Sequence, residues 1–115
     1  MLAQQHRMRT SVQFSAATRS GARSGRRNVV VYAHPCAPQE PTLVGFIVSK
    51  AVGNAVVRNR VKRRLRELAA ESIAETPRGL HLVVRALPAS AEADWSRLGA
   101  DYRAALIAAR RKLAA

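Results

Sequence analysis

Acidic, aromatic and sulfur-bearing residues are scarce in this chain: seven Asp+Glu, 4% aromatics and one cysteine among 115 residues. A lone Cys36 excludes an internal disulfide, and it has neither a CxxC partner nor a histidine at zinc-ligand spacing, so no metal site is expected. No apolar run approaches the roughly 18 residues of a membrane span, and residues 1–10 lack the apolar stretch of a secretory signal. The chain is expected to be cytoplasmic and to have no membrane partner. Among the acids, Glu40, Glu92, Asp94 and Asp101 are scattered without paired-carboxylate or metal-binding spacing, which leaves no catalytic residues to name. His6, His34 and His81 are isolated, and His81 alternates with Leu80 and Leu82 as a structural strand histidine would.

Positive charge is what the chain has in excess. Twenty Lys+Arg give a formal net charge of +13, and seventeen of the twenty are Arg. Residues 1–39 hold six Arg and no acid, residues 40–70 seven cations and two acids, and residues 71–115 seven cations and five acids. Such a field attracts polyanions, with nucleic acid the first choice of partner and an anionic membrane surface the second. Arg predominance favours planar, bidentate contacts to phosphates and bases. The Arg-rich, acid-free start also fits a mitochondrial transit peptide.

At this length one domain with one small core is expected. Residues 7–20 read as a helix, with Thr10 and Gln13 at capping-box spacing, Phe14 and Ala17 on one side, and Gly21 as its stop. Residues 22–27 read as a basic loop or a short edge strand. Residues 28–34 (NVVVYAH), 43–49 (LVGFIVS) and 80–87 (LHLVVRAL) read as strands. The second is apolar on both faces, which predicts a central strand covered on both sides. Asn54 is the expected N-cap of a helix running to about Glu75, on which Val57, Val61, Leu65 and Leu68 fall within about 80° of circumference. From Asp94, Trp95, Leu98, Tyr102, Leu106, Ala109 and Leu113 recur at helical spacing, and Trp95 and Tyr102 are expected in the core. The order α-β-β-α-β-α predicts an α+β domain spanning residues 1–115, with one sheet packed by helices; residues 1–6 and 113–115 are expected to fray.

The chemistry concentrates at residues 58–66 (RNRVKRRLR), which place six cations and Asn59 in two and a half helical turns with no acid. Repulsion at i,i+4 spacing costs such a helix a few tenths of a kcal/mol per pair, which a polyanionic partner would relieve. A solvated basic face is the bland alternative, but such faces ordinarily interleave Glu with Lys. Arg58, Lys62 and Arg66 form a row adjoining the apolar stripe, whereas Asn59 and Arg63 point away from the core. Arg60 and Arg64 lie on the other rim, within reach of Glu67 and Glu71. The segment SKAVGNA (49–55) joins Lys50 to a helix N-terminus but lacks the GxxxxGK[ST] spacing, so no nucleotide cofactor is expected. Phe14 and Tyr32 are either core residues or stacking faces for unpaired nucleotides.

Val48-Ser49-Lys50, then Gly53-Asn54-Ala55-Val56, Arg58-Asn59-Arg60, Lys62-Arg63 and Arg66 form an ordered block that resembles the bacterial ribonuclease P protein component and its RNR motif. Arg7, Arg9, Phe14, Tyr32, and Arg85 through Pro88, Ala89 and Ser90 extend the resemblance over nearly the whole chain. It is loose at residues 22–27 and 35–41, and it counts the N-terminal segment as part of the domain. Two positions depart: Thr18 stands where many relatives have a second aromatic, and Ala51 where they often have a second cation.

The resemblance implies a left-handed crossover through the basic helix, against the general rule. It implies a protein that binds a catalytic RNA and the single-stranded 5′ leader of precursor tRNA, within an endoribonuclease whose Mg²⁺-dependent centre lies in the RNA. It implies RNA contacts at Lys50, Asn54, Arg58, Asn59, Arg60, Lys62, Arg63 and Arg66, with Phe14 and Tyr32 lining the leader cleft. The residues alone leave open a small ribosomal or ribosome-associated RNA-binding protein, and a basic-helix DNA binder lacking dimerisation heptads.

Overall fold

The computed structural model describes residues 2–114. Helix α1 (Ser11–Ser20) is followed by β1 (Ala22–Gly25), β2 (Val29–Pro35), β3 (Leu43–Ile47), α2 (Ala55–Glu75), β4 (Leu80–Ala86) and α3 (Trp95–Ala114), with 3₁₀ turns at Gln4–His6 and Pro88–Ala91. The strands form one mixed sheet in the order β1-β2-β4-β3, antiparallel except for the β3–β4 pair that α2 connects. The α+β architecture and element order are those expected, and residues 22–27 do contribute a short edge strand.

Alternation along the strands separates two apolar layers. On one face Val29, Val31, Ala33, Val44, Leu82, Val84 and Ala86 pack under α2 and α3, which contribute Val61, Leu65, Leu68, Leu98, Tyr102 and Ala105. On the other, Val30, Tyr32 and Val83 pack with Met8 and Ala17, and Phe14, Leu43, Ile47 and Leu87 lie half-buried around them. Between α2 and α3 the hydroxyls of Ser72 and Tyr102 are 2.8 Å apart. Burial pushes the Tyr102 phenol up from 10.0 to about 12.

Two expectations are corrected. The second strand, β3, is apolar on both faces yet sits at the sheet edge; α1 and the α2–α3 layer cover its two faces, and the N-terminal segment caps its rim. There the Met8 amide donates to the Val44 carbonyl at 2.9 Å, and Arg7 bridges Val44 in parallel register, an edge protected against stray pairing. Residues 7–10 are accordingly extended rather than helical, and α1 begins at Ser11 behind the expected Thr10–Gln13 capping box. At the chain ends, Leu2 is 2% exposed in the main core, Arg7 Nε donates to its carbonyl, and Leu113 packs against the same core. The Arg-rich start is therefore part of the folded domain from Leu2 onward, while Met1 and Ala115 lie outside the described residues.

Trp95 is also misplaced by the helical pattern. It is the first residue of α3 and 42% exposed, whereas Tyr102, two turns later, is 1% exposed. The Asp94 carboxylate accepts from the Arg97 amide at 2.7 Å, the expected cap, and leaves Trp95 on the rim.

Candidate nucleic-acid interface

The basic helix is positioned by its own first turn. Asn54 Oδ1 accepts from the Val57 amide at 3.0 Å, and the missing side chain at Gly53 makes room for Val57, since a β-carbon there would meet Val57 Cγ1 at 2.9 Å. Lys50 lies exposed in the tight turn leading in, where the Gly53 amide donates to the Lys50 carbonyl. Val61, Leu65 and Leu68 are fully buried, which fixes the rotation of α2 and hence the aim of every cation on it.

That rotation separates the cations into three sets. Arg58, Lys62 and Arg66 are half-buried along the side facing β3, and Arg58 Nε is buried without a hydrogen-bond partner. Lys62 and Arg66 line a groove of about 170 Å³ with Arg7, Met8, Phe14, Val44, Gly45 and Phe46. Asn59 and Arg63 are exposed on the outer side. Arg60 and Arg64 donate to the carbonyls of Ala91 and Ala93 at 2.8 and 2.9 Å, tying α2 to the segment before α3. The expected partners Glu67 and Glu71 play no part in this, and Glu71 instead meets Arg103 at 3.1 Å. Arg60, a candidate RNA ligand, thus has a structural bond in this state and an exposed side chain.

Phe14 and Tyr32 share the sheet face that α1 partly covers, but in different settings. The half-exposed Phe14 ring forms the groove wall against Gly45, whereas Tyr32 is 7% exposed. Register places Arg23 and Val83 beside Tyr32, and the Arg85 guanidinium lies 5.9 Å from its ring centroid, within cation–π range. Tyr32 therefore presents little open ring, and Arg85 is the exposed group above it. Thr18 donates its hydroxyl to the Phe14 carbonyl at 2.9 Å. Arg7 and Arg85 are the basic groups around this face that residue-by-residue reading left out of the site.

Sequence spacing also missed one cluster. Antiparallel pairing of β2 with β4 brings Cys36, Glu40 and His81 together, with one ligand-capable atom of each within 4.8 Å of the others. Mg²⁺ takes oxygen ligands in near-octahedral geometry, and this thiol-imidazole-carboxylate set does not suit it. Elsewhere the Asp101 carboxylate accepts from Asn28, and Glu71 pairs with Arg103. No described helix is long and apolar enough to cross a membrane.

The family profile described as Ribonuclease P matches residues 2–110. The ribonuclease P protein component of Kocuria rhizophila is 60% identical over 114 residues, covering 99% of this chain and 100% of that protein. That of Pseudarthrobacter chlorophenolicus is likewise 60% identical, covering 99% and 84%. Among solved structures, the RNase P protein of Staphylococcus aureus superposes with a TM-score of 0.81 at 24% identity, over 90% of this chain and 94% of that one. The RNase P protein of Thermotoga maritima gives 0.74 at 21%, over 91% and 96%. The fold is theirs, and the whole-length identity to the first two relatives leaves the ribosomal and DNA-binding alternatives without support. This chain belongs to the ribonuclease P protein family, whose members are the RNA-binding protein component of a tRNA-processing endoribonuclease.

Proposed function

We propose that this protein binds the catalytic RNA of ribonuclease P and the single-stranded 5′ leader of precursor tRNA, and that phosphodiester hydrolysis takes place in the RNA. The observation that carries the reading is the groove in which Arg7, Lys62 and Arg66 surround the Phe14 ring. Cations beside an aromatic face hold an unpaired strand by backbone charge and stacking, without sequence readout. Lys50, Asn54, Asn59 and Arg63 lie exposed on the turn and outer side of α2, a surface suited to the phosphates of a large folded RNA. Arg58 completes the groove-side row, and Arg60 borders the outer one.

Mg²⁺ in this reading is held by the RNA, because the protein's carboxylates are scattered or engaged. The protein lowers the Mg²⁺ requirement by supplying part of the countercharge that the assembled RNAs need. Such an enzyme acts in the cytoplasm, where precursor tRNA is made.

The test is cleavage of a precursor tRNA by a bacterial ribonuclease P RNA at low Mg²⁺ and fixed salt, with and without this protein. Strong stimulation that depends on the RNA is expected. Cleavage by the protein alone would overturn the placement of the chemistry in the RNA, and no stimulation of a matched, folded RNA would overturn the subunit reading.

A further inference from the structure

At the end of the sheet where β2 leaves and β4 begins, the connection after β2 folds back onto the chain before β4. The Cys36 amide donates to the Gly79 carbonyl at 3.1 Å, and the Gly79 amide donates to the Glu40 carbonyl at 2.9 Å. A third bond, Glu40 amide to Ala37 carbonyl at 2.9 Å, closes the turn. These backbone ties hold Cys36 and Glu40 beside His81, which faces His34 directly across the β2–β4 ladder. In a chain with twenty cations, the Glu40 carboxylate makes no ion pair among the described residues. It stands instead by a thiol and an imidazole, and His34 Nδ1 is buried without a hydrogen-bond partner.

We propose that Cys36, Glu40 and His81 form a binding site for a transition-metal dication of borderline softness, with Zn²⁺ the best match, that clips the β2–β3 connection to the start of β4. Thiolate, imidazole and carboxylate are the three donor types zinc accepts, and three protein ligands leave one position for water or a further nitrogen. Opposed side chains on an antiparallel pair stand about 5 Å apart at Cβ, which makes His34 the nearest candidate for that position. Around tetrahedral zinc, neighbouring donors are about 3.5 Å apart. The three ligand atoms already lie within 4.8 Å of one another, and Glu40, the exposed member, has the most room to adjust toward that spacing. On binding, the Cys36 thiol proton leaves to solvent and the sulfur electron pair forms the metal bond.

The probe is Co²⁺ added to the reduced, chelator-treated full chain, followed by displacement with Zn²⁺. One equivalent of Co²⁺ is expected to develop a thiolate-to-cobalt charge-transfer band that Zn²⁺ abolishes, and Zn²⁺ is expected to raise Tm. Cys36→Ser should remove the band, while His81→Asn and Glu40→Gln should weaken Co²⁺ binding at least about tenfold. Glu92→Gln, an exposed acid elsewhere, should bind as the parent does. Because Glu40 is exposed, Glu40→Gln reads the site even if another variant fails to fold. Absence of the band in the parent, or parental affinity in both His81→Asn and Glu40→Gln, would overturn the site.

Discussion

The Phe14 ring lies against the backbone of Gly45: a β-carbon at Gly45 would stand 2.4 Å from Phe14 Cζ and 3.2 Å from Met8 Cβ. The glycine on β3 is thus what lets α1 lower an aromatic ring into the groove that Lys62 and Arg66 border. Gly45→Ala should push the ring outward and lower stability by about 1 kcal/mol, at the small end of overpacking costs because the ring is half-exposed. In a Phe14→Ala background the same substitution should cost less than half as much. Urea unfolding of the four proteins of that cycle decides it; equal costs in both backgrounds would show that the ring and Gly45 are not coupled.

The Ser72–Tyr102 pair makes the α2–α3 interface sensitive to alkaline pH. Tyr102 ionises near 10.0 when exposed and at about 12 when folded, with burial the largest cause. The folded state therefore holds the phenolic proton more tightly than the unfolded state does. The resulting stability is fully present below pH 10 and is lost as pH rises toward 12. Unfolding free energy measured from pH 9 to 12 should fall less steeply for Tyr102→Phe than for the parent. At neutral pH, Tyr102→Phe should cost about 1 kcal/mol by leaving Ser72 Oγ unpaired, and the double change with Ser72→Ala should recover part of that loss.

Arg64 serves the fold more than any ligand. Its bond to the Ala93 carbonyl, like that of Arg60 to Ala91, anchors the segment leading into α3. Arg64→Ala is expected to lower the urea midpoint by an amount worth roughly 0.5–1.5 kcal/mol with an unchanged m-value. Arg63→Ala, on the exposed outer side one residue away, should stay within about 0.5 kcal/mol. The ion pair of Arg103 with Glu71 has both side chains more than half exposed, so Glu71→Gln should be close to neutral.

The elements were legible in the sequence because each carries its own local signal. Thr10 with Gln13, Asn54 before the basic helix and Asp94 before α3 are caps whose side chains meet the expected amides. The stripe Val61, Leu65 and Leu68 fixes the rotation of α2, and with it the division between a groove-side row and an outer row. What stayed hidden depends on which strands become neighbours. Apolar residues on both faces of β3 look central, but helices and the N-terminal segment can cover an edge strand just as fully. The cluster of Cys36, Glu40 and His81 joins residues up to 45 positions apart in sequence and exists only through the β2–β4 register. Arg60 and Arg64 find backbone carbonyls, which no charge pattern announces. The cover over Tyr32 likewise comes from Arg85 on the neighbouring strand.

The two rows of α2 should separate in function when leader length is varied. Lys62 and Arg66 line the Phe14 groove, so replacing both by Ala should weaken the holoenzyme's hold on long-leader precursor tRNA more than on a substrate with a one-nucleotide leader. Asn59 and Arg63 face outward, and Arg63→Ala should weaken assembly with the RNA subunit to the same degree for either substrate. Removing one cation that neutralises a phosphate should also reduce the slope of log K against log salt by about 0.7–0.9. In the Lys62 and Arg66 double variant the reduction should appear in substrate binding, at about 0.7 for each of the two cations removed, the value characteristic of single strands. In Arg63→Ala it should appear in assembly with the RNA. Equal losses for both leader lengths in the double variant would mean that the groove does not carry the leader and that both rows grip the same RNA surface.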